Sequence, residues 1–123
     1  MEDYQGKAYN VVHCEGAKES FLEELKKHVP KNKHKNYIAR MRRLRERLAD
    51  GQRMSNENFP KEGQLPDKSH FRALKKIPLR AYIWLSKKSP RTFYISHYVY
   101  KNYDNLKERD ITRVCGNWKD KEE

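Results

Sequence analysis

Strict alternation of apolar and polar side chains in one short segment constrains the fold of this chain more than any other feature. Four apolar residues take every second position and four others lie between them: Leu79, Ala81, Ile83 and Leu85 against Arg80, Tyr82, Trp84 and Ser86. A period of two is typical of a β-strand with one buried face. Segments 70–77 and 92–100 predict two further strands, and the short turns between them indicate a small antiparallel sheet.

Helical periodicity indicates two helices before these strands and one after them. Apolar residues recur on one helical face over 17–29 and 36–50, and Pro30 separates the two segments. A third helix is predicted over 105–118, and a short strand over 9–13. The predicted order is therefore β-α-α-β-β-β-α. It describes an α+β fold with a helical hairpin packed on one face of an antiparallel sheet and a C-terminal helix.

The predicted elements form one domain, from residue 9 to residue 118. A chain of 123 residues has room for one small domain with a single core. The polar segment 1–8 is predicted to be flexible, and residues 119–123 are predicted to be a polar tail. Residues 52–69 are polar and without periodicity, so they are predicted to form a long loop.

The chain is strongly basic. It has 28 Lys and Arg against 17 Asp and Glu, a formal net charge of +11. Such a field attracts phosphate backbones, acidic protein segments or anionic membranes. No apolar run approaches the roughly 18 residues that span a bilayer, so no membrane partner is expected. Cys14 and Cys115 lie far apart and form no CxxC pair, which favours a reducing, cytoplasmic location and predicts neither a metal site nor a cofactor.

The polar side of the predicted sheet is unusual for a surface that faces water. It would carry Arg80, Tyr82 and Trp84, with further positive charge from the preceding strand. Fixed cations and large π surfaces on one face suit an anionic polymer with stackable bases. We therefore expect this face to bind RNA.

The C-terminal half resembles a family of toxins. The segment ISHYVYKNYDNLKERDI is similar to the one that closes the sheet in HigB-type toxins of the RelE/ParE superfamily. Five residues fall on its His, Lys, Lys, acidic and Ile pattern: His97, Lys101, Lys107, Asp110 and Ile111. The preceding FRALKKIPLRAYIW resembles the family's basic strand followed by a strand-opening arginine, which Arg80 matches. The motif covers residues 70–111, and the order of elements resembles the superfamily over residues 9–118.

The resemblance implies an endoribonuclease, an mRNA interferase that cuts mRNA on the ribosome and is silenced by a cognate antitoxin. In metal-independent cleavage Arg80 would stabilise the phosphate, and His97, with an ordinary pKa near 6.5, would act as acid or base. Lys76 and Lys101 complete the expected catalytic set by raising the local positive potential. The residues expected to bind RNA are Arg72, Lys75, Tyr82, Trp84, Tyr98, Tyr100 and Tyr103.

Several assignments have structural alternatives. His97 shares strand parity with Ile95, so it can equally be a buried core histidine. Arg80 can be a solvated surface residue. Lys75 and Lys76 are adjacent, so only one of them can face a site on a regular strand. Tyr98 and Tyr100 can simply cover the sheet beneath the last helix. The second helix carries an arginine run whose outer face is either solvated or a non-specific phosphate contact: Arg40, Arg42, Arg43, Arg45 and Arg47.

Three other functions fit the same sequence. A non-catalytic RNA- or ribosome-binding module would use the basic face only for docking. A ParE-like, gyrase-directed toxin shares the expected fold without the ribonuclease residues. A structural partner would use its positive charge only to neutralise an acidic protein.

Overall fold

The computed structural model describes residues 1–101 and 105–123. In this part of the chain, six strands form one sheet and three α-helices pack against it. In chain order the elements are β1 (Tyr4–Gln5), β2 (Asn10–His13), α1 (Ala17–His28), a 3-10 turn (Lys31–Lys33), α2 (His34–Ala49), β3 (Lys61–Gln64), β4 (His70–Lys76), β5 (Leu79–Leu85), β6 (Thr92–Tyr100) and α3 (Glu108–Glu122).

The predicted α+β class and the predicted order of elements are confirmed. The elements β2, α1, α2, β4, β5, β6 and α3 follow one another as β-α-α-β-β-β-α. The strands are ordered β1-β2-β6-β5-β4-β3 across the sheet. All neighbours are antiparallel except β2 and β6, which run parallel. The helical hairpin between β2 and β4 is the crossover that returns the chain to the sheet.

Two segments predicted to be irregular contain strands. Residues Lys61–Gln64, within the predicted loop 52–69, pair with β4 as an edge strand. Near the N-terminus, within the predicted flexible segment 1–8, Tyr4 pairs with Val11 of β2. Both predictions are wrong at these positions because an edge strand as short as these has no room for a detectable period-two pattern.

The face of the sheet under α1 and α2 is apolar. Buried side chains of the hairpin meet buried side chains of β2, β4, β5 and β6. The main contributors are Val11, Phe21, Leu25, Met41, Leu44, Leu48, Leu74, Leu79, Ile83, Phe93 and Ile95. This face contains most of the hydrophobic core, as the helical and strand periodicities predict.

The opposite face is covered by α3, which contradicts the prediction of an open face. Val114 and Trp118 of α3 pack over Phe71, Tyr82 and Trp84. Tyr82 is 0% exposed and Trp84 is 2% exposed. The apolar side chains of α3 recur every three or four residues, so the helix needs an apolar surface to cover, and this face of the sheet provides it.

The C-terminal end of α3 is attached to the β5–β6 turn by one carboxylate. Glu122 accepts hydrogen bonds from Trp84 Nε1 at 3.2 Å and Ser86 Oγ at 2.7 Å. It also accepts from the backbone N–H groups of Lys87 at 2.8 Å and Lys88 at 2.9 Å. The prediction of a polar tail over 119–123 is wrong because α3 continues to Glu122.

Candidate functional site

A cleft between α1 and α3 lies along β6 beyond the point where its pairing with β2 ends. The strand β2 pairs with β6 only from Thr92 to Ile95. Beyond that point α1 provides acceptors in place of a strand. Ser20 Oγ accepts from the backbone N–H of Tyr98, and Glu24 Oε1 accepts from that of Tyr100, both at 3.0 Å. The cleft has a volume of about 300 Å³, and its lining residues are Ser20, Glu23, Glu24, Lys27, His97, Tyr98, Val99, Arg109, Asp110 and Arg113.

A β-bulge turns His97 towards α3. Tyr82 of β5 pairs with His97, but the next residue, Ile83, pairs with Ile95, so Ser96 is an extra residue in β6. A bulge of this kind shifts the alternation of side chains by one position. His97 consequently contacts Tyr82 on the α3 side, with ring centroids 5.3 Å apart, while Ile95 stays in the hairpin core. His97 is buried, as one of the two sequence alternatives requires, but it lies under α3 and not under the hairpin.

Both ring nitrogens of His97 have hydrogen-bond partners. Nε2 lies 2.9 Å from Asp110 Oδ1 on α3, and Nδ1 lies 2.8 Å from Ser96 Oγ. Asn117 Nδ2 donates to Ser96 Oγ at 2.8 Å, which leaves the Ser96 hydroxyl proton for Nδ1. Because the carboxylate of Asp110 can only accept, the arrangement favours a neutral imidazole protonated at Nε2.

Burial and nearby charges shift the pKa values of His97 and Asp110. Burial lowers the pKa of His97 below 6.5, and the positive charge of Arg113 lowers it further against the opposing effect of Asp110. Burial alone would raise the pKa of Asp110, but the hydrogen bond from His97 and the charges of Arg109 and Lys101 lower it overall. At neutral pH the cleft therefore holds a neutral imidazole next to an ionised carboxylate.

The rim of the cleft carries charges that the sequence reasoning missed. Arg109 and Arg113 are exposed and lie one turn apart on α3, on the side that holds Asp110. Lys27 faces them from α1, with Glu23 and Glu24 nearby on that wall. The signal that could have identified the two arginines is their i, i+4 spacing around the acidic residue of the toxin-like motif.

Three of the four predicted catalytic residues are distributed along the face under α3. Lys101 Nζ lies 5.8 Å from the centre of the Tyr82 ring, which also contacts His97. Arg80 is one strand position away from Tyr82, and its Nη1 lies 3.0 Å from Glu62 Oε1. All three are buried, at 5%, 1% and 1% exposure for Lys101, Arg80 and His97. Arg80 is therefore neither surface-solvated nor open to a phosphate, and its guanidinium is paired with Glu62.

The fourth predicted catalytic residue, Lys76, lies on the other face of the sheet. Lys75 pairs with Arg80 across the strands, so Lys75 lies on the α3 side of the sheet with Arg80. Lys76, the next residue, therefore points to the hairpin side. Lys76 is exposed next to the arginines of α2. Arg72, predicted to bind RNA, also lies on the hairpin side, where it donates to the Phe59 carbonyl at 2.8 Å and covers the Phe59 ring.

The predicted stacking platform for bases is not present among the described residues. Tyr82 and Trp84 are buried under α3. Tyr98 is buried on the hairpin side, and its hydroxyl lies 2.7 Å from His13 Nε2. Tyr100 stacks on His28 with ring centroids 4.7 Å apart, so two of the tyrosines cover the sheet. Tyr103 lies outside the described residues.

Other features of the described chain do not extend the site. Over residues 1–101 and 105–123, no three His, Cys, Asp or Glu side chains lie close enough to share a metal ion, and no helix is long and apolar enough to cross a membrane. The resemblance to the RelE/ParE superfamily stays a prediction, because no protein-family model, curated protein or solved structure matches this chain.

Proposed function

We propose that the protein is an endoribonuclease that cleaves mRNA without a metal ion, by attack of a 2′-hydroxyl on the neighbouring phosphate. The observation that carries the proposal is the pairing of His97 with Asp110 in a cleft whose rim holds Arg109 and Arg113. A proton-transfer group next to fixed cations is the combination that this reaction requires.

The residues divide the work of the reaction. Arg109 and Arg113 bind the scissile phosphate, since a guanidinium stays charged and grips two oxygens at once. His97 is neutral near pH 7 and accepts the 2′-hydroxyl proton at Nδ1, while the departing 5′-oxygen takes a proton from water. Asp110 orients the ring through Nε2 and stabilises the imidazolium that forms. Because Nδ1 is engaged at rest, the hydrogen bond from the Ser96 hydroxyl to Nδ1 must open when the substrate hydroxyl arrives.

The buried cations have a supporting role in this proposal. Lys101 contributes positive potential from beneath the cleft. Arg80 is paired with Glu62, so it stabilises the sheet beneath α3 and does not contact the phosphate directly. The resemblance of residues 70–111 to HigB-type toxins adds the ribosome as the place of cleavage, a cognate antitoxin as the inhibitor and the cytoplasm as the location.

Inducible expression in bacteria tests the proposal. Wild type should arrest growth and produce new mRNA 5′ ends in translated messages. His97→Gln should abolish the new ends, because glutamine fills the site and forms hydrogen bonds but cannot exchange a proton at neutral pH. The Arg109→Gln, Arg113→Gln pair should reduce cleavage by at least tenfold through loss of phosphate binding.

A control with equal charge loss separates these effects from a change in net charge. Lys26→Gln with Lys119→Gln removes one exposed charge from α1 and one from α3, the two helices that flank the cleft, and should leave cleavage unchanged. Cleavage that survives in His97→Gln contradicts the proposal. Growth arrest without new mRNA ends would instead indicate a gyrase-directed toxin.

A non-catalytic RNA-binding module is the second candidate. It is favoured by the saturated hydrogen bonding of His97 and by the buried pair of Arg80 and Glu62, which together resemble a structural network. Such a module would bind RNA, leave it intact, and lose affinity only in proportion to the charge removed. Binding without cleavage on purified ribosomes carrying mRNA would establish this candidate over the nuclease.

A further inference from the structure

A second basic cleft lies on the hairpin side of the molecule, between α2 and the end of β4. It has a volume of about 170 Å³. Its lining residues are Arg40, Arg43, Leu44, Arg47, Asn58 and Lys76. Four of these six side chains are cationic, one is an amide, and none is a carboxylate. The cleft is therefore built for an anion.

The arginines of α2 fall into two groups. Arg42 and Arg45 bind Glu2 of the N-terminal segment, at 3.0 and 3.2 Å, and Arg45 is only 3% exposed. The prediction that Arg45 lies on an outer basic face is wrong because β1 and Glu2 cover it. These two arginines attach the N-terminal segment to α2, and Glu2 offsets their charge.

The arginines that line the cleft keep their charge uncompensated. Within residues 1–101 and 105–123, no carboxylate lies within ion-pair distance of Arg40, Arg43, Arg47 or Lys76. Arg40 lies over the Tyr37 ring at 5.3 Å, and Arg47 donates to the Arg53 carbonyl at 3.4 Å. Neither contact neutralises a guanidinium.

We propose that this cleft binds the phosphate backbone of RNA, as a second contact that extends the RNA-directed function proposed above. Residues 40, 43 and 47 follow one another along one side of α2, a stripe of about 10 Å at 1.5 Å per residue. Three guanidinium groups spaced along such a stripe can contact successive phosphates of one RNA strand. Lys76 adds a fourth cation from the sheet.

The composition of the lining favours RNA over other anionic partners. Leu44 is the single apolar residue of the lining and is 7% exposed, so the lining itself offers little apolar side-chain surface to an acidic peptide or a membrane. Arginine, which binds phosphate oxygens in pairs, supplies three of the four cations. Because α2 and α3 lie on opposite faces of the sheet, the bound RNA segment differs from the one in the His97 cleft.

Binding of an uncleavable RNA tests the proposal without depending on the nuclease. The probe is a fluorescent hairpin of 2′-O-methyl RNA, which has no free 2′-hydroxyl, titrated with full-length protein at several salt concentrations. The Arg40→Gln, Arg43→Gln, Arg47→Gln variant should bind 10- to 100-fold more weakly at low salt. The slope of log affinity against log salt should fall by about 2 to 3, one contact for each arginine.

A triple variant of equal charge provides the control. Lys26→Gln, Lys31→Gln and Lys119→Gln remove three exposed charges elsewhere and should change the affinity by less than threefold. Equal losses in the two triple variants, or displacement of the RNA by polyglutamate at the same charge concentration, would overturn the proposal. If circular dichroism shows that the triple arginine variant does not fold, the single variants Arg43→Gln and Lys76→Gln test the proposal instead. Each must lower the slope of log affinity against log salt by about 1.

Discussion

The two faces of the sheet are both covered by helices, but they are built from different chemistry. The face under α1 and α2 is filled by side chains such as Phe21, Leu25 and Ile83. The face under α3 buries Arg80 and His97, each next to a carboxylate. Apolar burial contributes roughly 25 cal/mol per Å² with little demand on orientation, whereas a buried charge is tolerated only with a well-placed partner. The second face therefore contributes less stability and requires stricter geometry.

This difference explains how a basic chain keeps ionisable groups in its interior. The hairpin face supplies a core whose main contributors are apolar, with His13 beside Tyr98 at its edge. The α3 face can then hold the His97–Asp110 pair at the edge of a cleft, where the proposed nuclease would use it. Substitutions on the two faces should consequently differ in whether a second change rescues them and in how they respond to pH.

The largest effect is expected when the buried pair on the α3 face is broken. Arg80→Met leaves Glu62, whose side chain is 9% exposed, without the guanidinium it binds. We expect a loss of about 3–5 kcal/mol in the free energy of unfolding, measured by urea denaturation. Adding Glu62→Leu should recover at least half of that loss, because the unpaired charge is then gone. If the double variant is no more stable than Arg80→Met, the face is not governed by charge pairing.

At an apolar position of the hairpin face, the expected response is that to a cavity. Leu25 is 1% exposed, and Leu25→Ala should cost about 3 kcal/mol by removing buried methyl groups. Leu22, on the same helix, is 57% exposed, and Leu22→Ala should cost less than about 0.5 kcal/mol. The loss in Leu25→Ala should be the same at pH 5 and pH 8. A pH-dependent loss would break the contrast between the two faces.

Glu122 should show an intermediate effect, because it anchors α3 through four hydrogen bonds but remains partly exposed. Glu122→Gln should cost about 1–2 kcal/mol at pH 7, measured by thermal unfolding followed through tryptophan fluorescence. Glu123→Gln, at the exposed neighbouring position, is the matched control and should have no effect.

The pH dependence of Glu122 has a defined sign. Burial raises its pKa, but the hydrogen bonds from Ser86, Lys88, Trp84 and Lys87 outweigh burial and lower it below 4.5. The carboxylate therefore stabilises the fold above that pH, and this stability is lost as the pH falls through the folded-state pKa. Glu122→Gln should flatten the stability curve in the acid range, and a curve parallel to wild type would contradict the anchoring role.

The smallest effect is expected from the titration of His97. Its pKa is lowered in the fold, so below pH 6.5 the unfolded chain binds more protons and stability falls as the pH falls. His97→Gln should reduce the slope between pH 7 and 5 by at most about 1.4 kcal/mol per pH unit. His13, whose pKa is also lowered by burial, contributes a slope of the same sign and keeps it in this variant. A slope in His97→Gln identical to that of wild type would contradict this assignment.

The main elements of the fold were predictable because each is long enough to show its period. The two helices of the hairpin and the strands β4, β5 and β6 repeat their apolar residues over seven or more positions. The strands β1 and β3 have two and four residues, and their sequences YQ and KEGQ show no apolar pattern that distinguishes them from loops. Their positions depend on long-range contacts, such as Glu2 with Arg45 and Glu62 with Arg80.

The site was only partly predictable for a related reason. His97, Arg80 and Lys101 were identified and do lie on one face, but period two cannot tell whether that face is open. The decisive fact is that α3 folds back over it, which follows from the stripe that ends in Trp118 and the anchor at Glu122. Arg109 and Arg113 were missed because their importance depends on the open edge of β6, a property of the sheet and not of the helix that carries them.

The extra residue at Ser96 affects how the orientation of side chains can be predicted from the sequence of a strand. On either side of it β6 keeps a clean period of two, but the two halves are out of phase by one position. A period-two pattern averaged over the whole strand therefore cancels, and His97, which follows the extra residue, is assigned to the wrong face of the sheet. A search for such sites should fit the phase of each half-strand separately and should treat a phase jump next to an ionisable residue as information.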